Sequence, residues 1–208
     1  MRIESIEQTK SPLGKLRLRF GDETSLLVLP SVAAEHGLSV GMELSEEGFQ
    51  SLRGRNAEAL AKERALRIIS ASPVTKKALY RRLVEKGETE ENAAAAVSWL
   101  TELRLLDDRQ VAESVVRSGA AKGYGAARIR QMLYEKRVPK ELWDEALEQL
   151  PPREAAIDDF LRRRFRGKTP DRAECKRATE ALLRRGHTLS DIRSALERYA
   201  PEEDFFDD

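Results

Sequence analysis

Residues 79–108 read LYRRLVEKGETEENAAAAVSWLTELRLLDD, and the fold of the chain turns on them. Leu79 and Leu83 stand one helical turn apart, and Lys86-Gly87 closes that helix with a basic last turn and a left-handed cap. Thr89 is placed to cap a second helix, with Glu90 and Glu91 in the first turn, where the helix dipole favours negative charge. Ala96, Trp99, Leu100 and Leu103 form an apolar stripe at helical spacing. Asp107-Asp108 stops it. A helix pair of this size cannot bury its own stripes, so neighbouring chain must cover them.

Upstream, Ala61, Ala65, Ile68 and Ile69 mark one face of a helix over Glu58–Ala71 that ends before Pro73. Thr75 then caps the helix of Leu79, whose outward residues are Lys76, Lys77, Arg81 and Arg82. The same text returns downstream. Leu83, Leu133 and Leu183 recur at intervals of 50, each followed by a basic helix end, a short turn and a second amphipathic helix. The turns are Gly87, Val138-Pro139 and Gly186-His187, with Pro139 expected at a first helical position and Thr188 with Asp191 resembling a capping box. Each unit opens with a further helix, at Glu58–Ala71, Arg109–Gly119 and Arg153–Phe165.

Residues 1–56 have another texture. KLRLRF (15–20) alternates charged and apolar residues, Gly21-Asp22 marks a turn, and TSLLVL (24–29) is a second β-prone run stopped by Pro30. Two strands alone are marginal, so IESIEQ adds a third or the hairpin docks on a helix. Short helices are expected at 31–36 and 45–51, and RGRNA (53–57) reads as a linker. The expected fold is therefore mainly α. Three tandem three-helix repeats (57–108, 109–152 and 153–200) form an elongated array, after a small β-hairpin segment (1–56) and before an acidic tail (201–208).

With 35% charged residues, 6% aromatics and a formal net charge of +1, the chain suits extensive solvated helical surface. Cys175 is the one cysteine, which rules out an internal disulfide, suits a reducing compartment and reads as a small apolar residue. The polar N-terminus and the lack of any run near the ~18 apolar residues of a membrane span point to a cytoplasmic protein. His36 before Gly37 reads as a helix-end residue, not a metal ligand. Asp108 is expected to cap the helix of Val111, Ala112, Val115 and Val116, leaving Asp107 solvated. Gly123-Tyr124-Gly125 lacks the strand and third glycine of a dinucleotide loop and reads as a turn before Ile129, Met132 and Leu133. No catalytic, cofactor or metal constellation is recognisable, so no enzyme and no cofactor are expected.

Basic residues carry the remaining signal. Arg81 and Arg82, Arg128 and Arg130, and Arg184 and Arg185 lie on the middle helices, and RRRFRGK supplies Arg162, Arg163, Arg164, Arg166 and Lys168. With Lys122 these form the candidate contact set. Residues 151–200 hold 13 Lys and Arg against 8 Asp and Glu, whereas the tail 201–208 holds five carboxylates around Phe205-Phe206. A basic body beside an acidic tail suits a surface that meets a charged macromolecule, and arginine suits phosphate or carboxylate recognition. The plain alternative is a set of solvated helix faces, some paired to glutamates at helical spacing.

LYRRLVEKG (79–87), LLDDRQVAESVV (105–116) and KGYGAARIRQMLYEKRV (122–138), in this order and spacing, resemble the RecX regulatory proteins of bacteria. The resemblance covers about residues 57–200, and the N-terminal segment resembles an extension found in some members. The family often has glycine where Arg137 stands, so this turn is expected to use Val138-Pro139 geometry instead. What the resemblance implies is a regulatory binding protein. It would act, as a monomer and away from membranes, on the RecA recombinase filament. It would lie in the filament's helical groove on single-stranded DNA and restrain ATP hydrolysis, strand exchange and the co-protease function of the SOS response. Whether the basic faces meet RecA or DNA within the filament stays open. A direct DNA-binding helical protein and an uncommitted helical adaptor are the competing readings.

Overall fold

The computed structural model describes residues 1–11 and 13–199, with Arg153 as backbone only. The tail 201–208, read above as an acidic end, lies outside the described residues. The fold is mainly helical, with a small antiparallel sheet at its start. It divides into two compact units, Met1–Leu106 and the chain from Asp107 onward.

In the first unit, β1 (Ile3–Gln8), β2 (Leu16–Phe20) and β3 (Ser25–Val28) pair in that order, with Leu18 opposite both Ile6 and Leu26. The alternation of KLRLRF holds, since Leu18 and Phe20 are buried while Arg17 and Arg19 are exposed. IESIEQ supplies the third strand, and the sheet also docks on helices. Its core of Ile3, Leu18, Phe20 and Val28 meets Val32 of α1 (Pro30–Glu35) and Leu52 of α2 (Glu46–Ala71). The turn forms at Gly21-Asp22, with Glu23 taking φ 65° and the Asp22 carboxylate accepting from the Thr24 amide at 3.1 Å. His36 caps the end of α1, as expected.

RGRNA is not a linker. Ser45 accepts from the Gly48 amide at 3.0 Å and starts one helix of 26 residues that runs unbroken through 53–57. Gly54 costs such a helix about 1 kcal/mol, but its neighbours are held by tertiary partners. Buried Asn56 accepts from the Leu29 amide (3.0 Å) and donates to the Leu27 carbonyl (2.8 Å), occupying the outer edge of β3 much as another strand would. Arg55 bonds Glu35 at 2.8 Å and Glu58 at 3.0 Å.

α3 (Lys76–Glu85) and α4 (Glu90–Glu102) are capped by Thr75 and Thr89, and pack Leu79, Leu83, Ala93, Ala96 and Leu100 on Ala61 and Ala65 of α2. The expected stripe ends one residue early. Leu103 is 51% exposed, because Arg104 turns left-handed (φ 57°) behind it and Leu106 enters the core instead.

In the second unit, α5 (Asp108–Ala121) and α6 (Ala126–Glu135) are followed by a 3-10 turn (Lys140–Leu142) that runs into α7 (Trp143–Leu147). Val111, Ala112, Val116, Ile129 and Leu133 form their core. α8 (Arg153–Phe165), α9 (Arg172–Arg184) and α10 (Leu189–Leu196) enclose Ile157, Leu161, Cys175, Ala178, Leu182 and Ile192. Three expectations change. Asp107, not Asp108, is the N-cap of α5, its carboxylate accepting from the Arg109 amide at 2.9 Å. Pro139 precedes a 3-10 turn as its cap residue and is not a first helical residue. Leu182 is fully buried, whereas Leu183 is 44% exposed.

Candidate functional site

The buried leucines fix the frame in which the basic residues must be compared. Leu83, Leu133 and Leu182 are fully buried, and the residue four places on is left-handed in each case: Gly87 (φ 89°), Arg137 (φ 58°) and Gly186 (φ 84°). The amide of the following residue then bonds back to the leucine carbonyl, at 3.1 Å from Glu88, 3.0 Å from Val138 and 3.2 Å from His187. Arg137 thus performs the turn that its neighbours assign to glycine, and the expectation of a separate Val138-Pro139 geometry is wrong.

In this frame the three arginine pairs are not equivalent. Arg81 and Arg82 correspond to Gln131 and Met132 and to Glu180 and Ala181, while Arg184 and Arg185 lie two and three places after their leucine. A repeated basic face is therefore not what these residues form. Arg81 is exposed and paired with Glu85 at 2.5 Å, and Arg82 beside it is exposed; both belong to the first unit. Exposed pairs of this kind contribute about 0–1 kcal/mol.

The second unit does bring several candidates together. Lys122 from the end of α5, Arg163 and Arg164 from α8, and Arg185 from the end of α9 line one hollow of about 450 Å³ with Asp159 and Phe160. Asp159 is engaged by Arg162 and Arg163, each at 3.0 Å. The Arg185 guanidinium lies over the Phe160 ring, 4.8 Å from its centre, a cation–π contact that holds it in place. Arg130 opens on a second hollow of about 550 Å³, with Tyr124, Leu150, His187 and Asp191. Arg128 donates to Gln131 at 2.7 Å. Arg166, left-handed at φ 50°, and Lys168 are exposed just beyond α8, and Arg184 is exposed in the last turn of α9.

Lys122 and Arg185 are brought together by a junction between the turn that precedes α6 and the turn that ends α9. Gly125, the N-cap of α6, donates its amide to the Arg185 carbonyl at 2.8 Å, and the Ala127 amide donates to the Gly186 carbonyl at 3.3 Å. The positive end of α6 is thereby satisfied by the negative end of α9. Backbone meets backbone so closely that a Cβ on Gly125 would stand 2.2 Å from the Gly186 oxygen. His187, 9% exposed, donates from Nε2 to the Gly123 carbonyl at 3.1 Å. Burial, and then the nearby Arg185 charge, push this imidazole below its ordinary pKa, so it is held neutral. The sequence signal was present as two glycine-bearing turns, but nothing local says that they touch. Phe160 and Asp159 were missed for the same reason.

Among the described residues, no group of three or more His, Cys, Asp or Glu side chains is placed to hold a metal ion, and no helix is long and apolar enough to cross a membrane.

Residues 107–147 match the family model described as RecX, second three-helix domain. The regulatory protein RecX of Vibrio campbellii (strain ATCC BAA-1116) is 33% identical over 138 residues, which is 65% of this chain and 89% of that protein. That of Stenotrophomonas maltophilia (strain R551-3) is 34% identical over 151 residues, 72% of this chain and 92% of its own. A crystal structure of regulatory protein RecX superposes with a TM-score of 0.68 at 24% identity, covering 95% of this chain and 98% of that one, so the fold is shared nearly end to end. With relatives above 30% identity matched over most of their length, the chain belongs to the RecX family of regulatory proteins.

Proposed function

We propose that this protein binds the RecA recombinase filament on single-stranded DNA and restrains its ATP hydrolysis, strand exchange and co-protease activity. Membership of a regulatory family supports a binding role. The observation that carries the reading further is the convergence of Lys122, Arg163, Arg164 and Arg185 on one hollow. Such a cluster recognises an acidic protein surface or a phosphate backbone. We further read the helix triplets at 57–108, 109–152 and 153–200 as tandem repeats, which present surface to successive protomers of a filament better than one globular core does. The test is DNA-dependent ATP hydrolysis by RecA. Substoichiometric protein should lower it, and an unchanged ATPase and filament length at saturation overturns the reading.

The same arginine-rich hollow also favours direct DNA binding as a second reading. That reading requires affinity for DNA in the absence of RecA, with log affinity falling against log salt by about 0.7 per phosphate neutralised on a single strand.

A further inference from the structure

β3 is the outer strand of the sheet, and part of its outward edge is open. The Phe20 amide bonds to the Thr24 carbonyl at 3.0 Å, and antiparallel bonding alternates, so Leu18 with Leu26 and Leu16 with Val28 are the next bonded pairs. The amides and carbonyls of Ser25 and Leu27 therefore point away from β2. Asn56 takes the Leu27 carbonyl and the Leu29 amide, and Pro30 follows with no amide to give. The Ser25 amide and carbonyl and the Leu27 amide are left with no protein partner among the described residues.

This edge opens on a hollow of about 690 Å³ that α2 lines on the other side through Gln50, Arg53 and Gly54. Its lining is partly apolar, since Leu26 and Leu60 are half-buried there and Leu27 is 42% exposed. Arg17 and Arg53 also line it. Both are exposed, and neither has an ion-pair partner among the described residues. Arg53 is held against the Phe49 ring, 5.9 Å from its centre. Gly54 weakens α2, yet a Cβ on it would meet no atom within 4 Å, so the chain's own packing does not require glycine there. A bare backbone beside a hollow lets another backbone come close.

We infer that an extended acidic segment of a partner protein docks here, adding a strand to the open part of β3 and passing close to α2 at Gly54. Main-chain groups at such an edge pair with another main chain, which a nucleic acid does not offer. The two arginines select for carboxylates, and against a second copy of this edge, which would set Arg17 and Arg53 against their own kind. Strand residues alternate in face, so the segment that suits the hollow alternates acidic residues with apolar ones that meet Leu26 and Leu60. Asn56 closes the edge at Leu27 and so fixes where the added strand stops. The surface belongs to the first unit and uses none of the cations of the second.

The test uses the full chain and a blocked synthetic peptide of alternating glutamate and valine, acetyl-EVEVEVEV-amide. As the peptide is titrated, the Ser25 and Leu27 amides should exchange with solvent more slowly, and the Gly54 amide resonance should shift. The same peptide with lysine in place of glutamate, or N-methylated along its backbone, should do neither. Gly54→Leu should raise the unfolding midpoint, since leucine is the better helix former, and should abolish both effects. Arg17→Gln with Arg53→Gln should weaken binding while the fold stays intact. The proposal is overturned if the acidic peptide leaves Ser25 and Leu27 unprotected, or if the lysine or methylated peptide protects them equally. It is overturned as well if Gly54→Leu lowers the midpoint or binds as the native chain does. Protection that grows with protein concentration in the absence of peptide also overturns it, by identifying a second copy as the occupant. The measurement needs no RecA, so it stands or falls separately from any effect on the filament.

Discussion

Arg137 occupies backbone space that an L side chain enters only against steric resistance, at φ 58°, where the equivalent positions hold Gly87 and Gly186. A non-glycine residue there costs about 1–2 kcal/mol. Arg137→Gly should therefore raise unfolding stability by about 1 kcal/mol, part of the relief being offset by the greater freedom of glycine in the unfolded chain. Urea unfolding measures this directly, and an unchanged or lowered midpoint contradicts it. At this scale the sequence was legible wherever a side chain acts on its own neighbourhood. Thr75, Thr89 and Thr188 cap helices where their spacing places them, and Ser45 caps α2 in the same way. It was not legible where two like residues stand side by side. Asp107 and Asp108 satisfy the same pattern one residue apart, and the choice between them is made by the extended backbone of Asp107 (φ −139°), which no composition rule encodes.

Among the elements, α9 shows how a helix register is misread. The interval of 50 picks Leu183 as the partner of Leu133, whereas the distance to the closing glycine picks Leu182. The structure follows the glycine, because the turn that ends each middle helix is tied to the leucine four residues earlier. Leu182→Ala should cost about 2–5 kcal/mol, as should Leu83→Ala and Leu133→Ala, while Leu183→Ala should change stability by about 0.5 kcal/mol or less. Denaturation midpoints of Leu182→Ala and Leu183→Ala settle the register, and equal losses would contradict it. The strands of residues 1–29 were legible because one face is wet and one is buried, so the alternation survives in the text. The identity of α2 was not. Its continuity depends on Asn56 reaching back to Leu27 and Leu29, a contact between residues far apart in the chain.

For the molecule as a whole, the candidate site was legible as an inventory of cations but not as a place. Lys122 meets Arg185 because the turns at Gly125 and Gly186 fit together, and Arg163 and Arg164 join them through the packing of α8 on α9 and α10; packing of that kind leaves no local periodicity. His187 makes this junction sensitive to pH. Its folded pKa lies below the unfolded value of about 6.5, since burial and Arg185 oppose the charge more than the Gly123 carbonyl and Asp191 favour it. The unfolded chain therefore takes up the proton first, and the contribution is complete above about pH 6.5 and declines as pH falls below it. The denaturation midpoint of the second unit should drop on acidification through that range, and His187→Gln should flatten the drop; equal slopes for the two proteins would exclude the imidazole as its source. The first unit carries a different constraint, set by the unbroken passage of α2 through Arg53–Ala57. In a loop, one residue more or less is absorbed by slack. In a helix each residue is a fixed screw step of about 1.5 Å and 100°. The length of this stretch is thus an angular setting: deleting a single residue would swing the sheet more than a quarter turn about the axis of α2, carrying Asn56 off the strand edge it closes.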